Sequence, residues 1–280
     1  MAISVLTNVA SLNAQRNLAT SQSSLASSIG KLSSGLRINS ASDDAAGLGI
    51  SENLKANIRS ISQAQRNTND GISMSQVAEG AMSEMQGLVS RMRELSVQAS
   101  NSTLGATERG YIHTEFGQLK NEIDRISAVT NFNGQKLLDG SASTGLTFQV
   151  GIFNTANDRL AMSVTKLTAS TLGSTSLHVA SASLSTAAKA QTAIGAFDKA
   201  IQQLSQSRAK VGAMQNRMQV TLANLATSHE NLSAANSRIR DVDVASETAQ
   251  MTRAQILSQA GIAVLAQANQ MPSSALSLLQ

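Results

Sequence analysis

Apolar side chains recur along most of this chain at three- and four-residue intervals, the period of a helix with one buried stripe. Leu18, Leu25, Ile29, Leu32 and Leu36 follow it near the start, with Gln22 as the one polar position. The stretch "SSGLRINSASDD" interrupts the pattern. Gly35 and Asn39 mark a break, Ser40 or Ser42 can cap the next helix, and Asp43 and Asp44 then sit in its first turn against the positive end of the dipole. The spacing predicts a second helix over about 43–99, whose second half carries Met74, Ala78, Ala81, Met85, Leu88, Met92 and Leu95. At a rise of about 1.5 Å per residue it would run for about 85 Å, a length that belongs to rods and bundles.

After "SNSTLG", a shorter helix over about 107–129 is expected, with Ile112, Phe116, Leu119, Ile123 and Ile126 on one face. The Asn-Gly and Asp-Gly dipeptides of "TNFNGQKLLDG" are turn signals. Leu146, Phe148 and Val150, then Leu160, Met162 and Val164 across the polar "NTAND", alternate with period two and predict a β-hairpin at about 140–166. Residues 168–186 are rich in Ser and Thr and carry no period. A helical seam returns with Phe197, Ile201, Leu204, Val211, Met218, Leu222, Leu225 and Leu232, interrupted by Arg208, Gln215 and His229. "RIRDVDVASE" repeats the break, with Asp241 and Asp243 as candidate caps.

The final stretch, "ILSQAGIAVLAQANQMPSSALSLLQ", places Leu257, Val264, Met271 and Leu278 seven apart, with Gly261, Ala268 and Ala275 between them. Large and small residues alternating at that spacing predict the inner seam of a helix pair. The plan is mirror-like, so the two terminal stripes are expected to meet and cover each other, leaving their outer sides for neighbouring molecules. The fold class that follows is mainly α: an elongated helical bundle or coiled-coil rod with a small β-hairpin region. Residues 1–40 with 243–280 form a terminal coiled-coil domain, and 41–242 form a helical rod domain.

Composition sharpens this picture. A single Pro in 280 residues removes the strongest helix breaker almost everywhere. Aromatic residues are only 2% and Trp is absent, whereas enzyme pockets are usually lined with rings. The net charge of +4 is spread along the chain with no basic run and no basic-aromatic platform, which speaks against nucleic acid as a partner. Zero Cys excludes disulfides and thiolate metal sites. The start, "MAISVLTNVASLNAQRN", does not read as a secretory signal, and no window approaches the 18 or so apolar residues of a membrane span. If the protein leaves the cell, the expected route cuts no signal peptide, and membrane insertion is not expected.

Candidate chemistry is thin. "DVDVASE" starts like a calcium loop yet lacks the Gly and the distal Glu that such a loop needs. His113, His178 and His229 lie on separate elements without ligand spacing, and "GLGIS" lacks the phosphate-loop Lys. No "GxSxG" elbow exists. The Met-rich seam reads as core packing in a chain poor in aromatics. These readings imply no catalytic residue, no metal and no cofactor.

Five stretches carry a resemblance: "MAISVLTNVASLNAQRNL", "SIGKLSSGLRINSASDDAAGLGIS", "RMRELSVQASNST", "EIDRISAVTNFNGQKLL" and "SRIRDVDVASETAQMTRAQILSQAGIAVLAQANQMPSSALSLL". In order and in content they resemble bacterial flagellin over about 1–140 and 190–280. The large variable outer domains of many flagellins are missing, so the chain resembles a minimal form. The resemblance implies a structural subunit that polymerises into the helical flagellar filament. The terminal helices would form the inner tube, disordered in the monomer and folding on assembly, and the bundle with its hairpin would form the outer tube. It implies secretion through the flagellar type III export apparatus with an export chaperone, to an extracellular filament bounded by cap and hook-junction proteins. The assembly seam would be Leu18, Leu25, Ile29, Leu32 and Leu36 with Leu257, Val264, Met271 and Leu278. Motif matching also carries a Toll-like receptor 5 epitope of the monomer onto Arg91, Leu95 and Glu115. A hook-filament junction protein and the long signalling hairpin of a chemoreceptor are the alternatives; concentration-dependent filament growth separates them.

Overall fold

The computed structural model describes residues 7–174 and 176–277, with side chains described as far as Gln270. The described residues form five α-helices: α1 (Val9–Ser34), α2 (Ala45–Ala99), α3 (Ala106–Val129), α4 (Ala187–Arg240) and α5 (Val244–Ser277). Between α3 and α4 lie two antiparallel hairpins, β1 (Asn131–Phe132) with β2 (Gln135–Lys136), and β3 (Leu146–Gln149) with β4 (Arg159–Met162). The chain divides into two compact units, residues 59–229 and residues 1–58 with 230–280. Their boundaries fall inside α2 and α4, whereas the expected domain boundaries lay at the breaks near 40 and 243.

The larger unit has a continuous apolar core. Met82, Met85, Val89, Met92 and Leu95 of α2 meet Phe116 and Ile123 of α3 and Phe197, Leu204 and Val211 of α4, each at most 1% exposed. Methionines fill the spaces that rings would fill elsewhere; the rings of Phe116 and Phe197 meet edge to face at 5.8 Å. Arg93 reaches Asp198 at 2.7 Å and Arg208 donates to Gln86 at 2.8 Å, so α2 and α4 run antiparallel. Arg109 closes the α2–α3 turn by donating to the carbonyl of Ala99, which the end of α2 leaves without a helical donor, and to that of Asn101 in the turn.

Both hairpins form where turn chemistry and alternation place them. Asn133 and Gly134 each take a positive φ (49° and 81°), the geometry of the two-residue turn that Asn-Gly favours. In the second hairpin Leu146 pairs with Met162 and Phe148 with Leu160. Residues 168–186, periodless in sequence, are nevertheless part of the core: Leu172, Val179 and Leu184 are at most 1% exposed. The segment is held by side chains of the neighbouring helices. Asp124 accepts from Ala169 N at 2.8 Å, and the Gln203 amide both accepts from Gly173 N and donates to Gly173 O, each at 3.0 Å.

In the smaller unit the two breaks stand side by side. Gly35 ends α1 in the left-handed conformation (φ 72°), as a helix C-terminus commonly requires. Arg37 N then donates to Arg240 O at 2.6 Å and Val242 N to Gly35 O at 3.1 Å. Asp44 caps α2, accepting from Gly47 N at 2.8 Å, a role expected of Ser40 or Ser42. Asp43 organises the loop instead, accepting from the N–H groups of Asn39 and Ser40. Those donors, that of Ser40 first, hold its carboxyl below the ordinary range. Asp243 caps α5 through Ala245 N and Ser246 N, while Asp241 pairs with Leu36 in a bridge and caps nothing.

Candidate assembly interface

α1 and α5 lie antiparallel and close together. Asn8 caps α1 by accepting from Ser11 N at 3.1 Å, and its amide donates across to Ala268 O at 2.8 Å. Ser11 Oγ donates to Asn269 Oδ1 at 2.8 Å. Further along, a Cβ added at Gly261 would meet Leu18 Cδ1 at 3.3 Å, so the two helices pack tightly there.

Burial defines the seam. On α1 it runs through Ser11, Ala14, Leu18, Ser21, Leu25, Ser28 and Leu32; on α5 it runs through Glu247, Met251, Ala254, Ser258, Gly261, Leu265 and Ala268. Both rows step by three and four, the coiled-coil repeat. Leu18, Leu25 and Leu32 stand where the sequence places them, and Leu36 is half-buried in the bridge with Asp241.

Three expected members do not face the partner helix. Ile29 is 51% exposed, Leu257 52% and Val264 57%. Among the described residues of that stripe, Leu257 and Val264 lie on the outer face of α5, while Ala254, Gly261 and Ala268 lie on the inner one. The inner face of α5 mixes small residues (Ala254, Ser258, Gly261, Ala268) with Met251 and Leu265, and it meets the Leu-bearing row of α1. The repeats Ala14, Ser21, Ser28 and Ala254, Gly261, Ala268 were the signal for this register. The Met271 side chain and Leu278 lie outside the described residues.

The pair therefore keeps an apolar exterior: Val9, Leu12 and Ile29 on α1, with Ile256, Leu257, Ile262 and Val264 on α5, all at least 51% exposed. Near the break, Arg240 of α4 reaches Glu52 of α2 at 2.6 Å, with its own side chain only 14% exposed. That hydrogen bond is the main cause that holds the Glu52 carboxyl below its usual range.

In the larger unit, Arg91 contacts Glu115 at 2.9 Å and Glu94 at 3.1 Å, all three exposed. These carboxylates, Glu115 first, raise the Arg91 guanidinium above its ordinary value. Leu95 is 1% exposed. It lies one turn from Arg91 but on the core face of α2, so the expected shared surface reduces to Arg91 and Glu115. Among the described residues no three metal-ligating side chains gather, and no helix is long and apolar enough to cross a membrane.

Paired helices with a closed inner seam and an unsatisfied outer face are the parts of a self-associating structural protein. Comparison with known proteins makes the class specific. Residues 5–143 match the bacterial flagellin N-terminal helical region, and residues 194–279 match the bacterial flagellin C-terminal helical region. The flagellin of Halalkalibacterium halodurans is 46% identical over 275 residues, and that of Bacillus subtilis 42% over 301, each alignment covering 98% of both chains. The flagellar filament 33 kDa core protein of Treponema phagedenis is 41% identical over 283 residues, again 98% of each chain. The chain belongs to the bacterial flagellin family.

Proposed function

We propose that this chain builds its filament by turning the outer apolar faces of α1 and α5 toward neighbouring copies. As a flagellin it is a structural subunit of the bacterial flagellar filament and not an enzyme. The observation that carries the proposed contact is the exposure of Leu12, Ile29, Leu257 and Val264 on a pair whose own seam is already closed. Burying one such side chain is worth about 1.5–3 kcal/mol. A head-to-tail contact that does not close on itself repeats into a helical filament.

The finer parts of this reading rest on family membership. The subunit reaches the outside through the type III export apparatus with an export chaperone, and its filament is bounded by cap and hook-junction proteins. In the monomer, the exposed Arg91–Glu115 pair supports recognition by Toll-like receptor 5. Electron microscopy of the purified chain after seeding tests assembly. Filaments that lengthen with protein concentration are expected; short complexes of fixed size would point to a junction adaptor and overturn the reading.

A further inference from the structure

Charge is unevenly distributed in the larger unit. Between residues 159 and 229 seven lysines and arginines are set against one carboxylate, Asp198. That carboxylate is taken by Arg93, and the carboxylate nearest Arg208 comes from α2, where Glu79 stands at 3.7 Å. Lys166 and Lys210 have no such partner among the salt bridges of the described residues.

The two lysines line one cavity of about 190 Å³, between the segment after β4 and α4. Its floor is Leu167 and Leu172, both at most 2% exposed. Its wall carries Gln206 and two hydroxyls, Thr165 Oγ1 and Ser207 Oγ, 3.2 Å apart. Ser207 is 7% exposed, so its hydroxyl is fixed by packing. Lys166 is positioned as well: its stem lies against Gly140, where an added Cβ would meet three of its carbons at 3.2–3.3 Å. Asp139, beside that glycine, is turned to the Ser141 N–H at 2.9 Å.

We propose that this cavity is a binding site for a single tetrahedral oxyanion, phosphate or sulfate. Two ammonium groups supply the charge, and hydroxyl and amide donors supply directed hydrogen bonds, which are strong when the acceptor is ionised. The cavity is smaller than the 300–1,000 Å³ or so of a drug-sized ligand site, which favours one compact anion. Bound there, the anion joins Lys166 on the connecting segment to Lys210 on α4, adding a tie to those that Leu167 N makes to Leu138 O and Gln203 makes to Gly173.

The test uses the full-length monomer at fixed ionic strength, titrated with sodium phosphate, sodium sulfate or sodium chloride and followed by amide NMR shifts. Saturable shifts confined to residues 165–172 and 203–210 are expected with phosphate, with sulfate, or with both, and not with chloride. Lys210→Gln should weaken the binding about tenfold or more, and Lys166→Gln similarly. Arg217→Gln removes one charge from the same helix outside the cavity and should leave the affinity within about twofold. Equal shifts in all three salts overturn the site. So does equal weakening by the Arg217 variant, because that would show diffuse attraction to a basic surface only.

Discussion

The guanidinium of Arg91 stands between Glu115 and Glu94 on the surface, while Leu95, one turn on, is 1% exposed. Substitutions should separate the two roles. Leu95→Ala is expected to lower unfolding stability by about 2–5 kcal/mol, because it leaves a cavity among packed methionines. Arg91→Ala and Glu115→Ala should leave the urea midpoint nearly unchanged and lower monomer potency in a Toll-like receptor 5 reporter assay about tenfold or more. Both variants as potent as wild type would remove the epitope. A second residue-level effect concerns acid. Asp43 and Glu52 both have folded-state values held below their ordinary 3.8 and 4.5, Asp43 by backbone donors and Glu52 chiefly by Arg240. Their contribution is therefore fully present above pH 4.5 and is lost as pH falls through the lowered values. Asp43→Asn should therefore lower stability slightly at pH 7, where the contribution is fully present, and flatten the pH dependence below that point, as read from melting curves.

At the scale of the element, α5 carries two different stripes, and one substitution on each pair face distinguishes them. Val264 is 57% exposed, so Val264→Asp should leave monomer helicity and melting unchanged while blocking filament growth. Leu32 is half-buried on the seam, so Leu32→Asp should loosen the helix pair itself and speed amide exchange over both helices in any filament that forms. Normal filaments from Val264→Asp would mean that the outer face of α5 is not the contact. The same duality explains why the helix pair does not resemble a coiled coil of leucines. Its inner rows alternate Leu with Ser, Ala and Gly, which trades apolar burial for close approach.

Whole-molecule stability is distributed unequally between the two units, each taken by itself. The larger unit owns the continuous apolar core, whose buried members all lie between Met74 and Val211. In the smaller unit α1 fully buries only Ala14 and Ser28 among its described residues. Few buried apolar groups mean a low free energy of local opening. Amide exchange in the monomer should therefore be fast over residues 9–34 and 244–270 and slow over 74–99 and 190–211. Family resemblance adds that the terminal helices become ordered on assembly, and a monomer with equal protection in both units would contradict that expectation.

Local rules made the helices and hairpins legible before any contact was known. One Pro and an unbroken three-four period predicted α2 and α3 within about two residues of their ends, and Asn133-Gly134 predicted its own turn because few other dipeptides accept two positive φ values. The N-terminal seam was legible at Leu18, Leu25 and Leu32. Its partner was not, since large apolar residues mark a stripe without saying whether the stripe faces inward or outward. Only the packing of α5 against α1 decides that, and here Gly261, Leu265 and Ala268 face α1 while Leu257 and Val264 face outward. Residues 168–186 show the complementary case. They are held by buried Leu172, Val179 and Leu184 and by Asp124 and Gln203, distant side chains that bind backbone groups, and such partners leave no period in the segment they hold. What a residue's immediate neighbours dictate could be read from the sequence; what depends on the distance between two elements was decided by the tertiary structure.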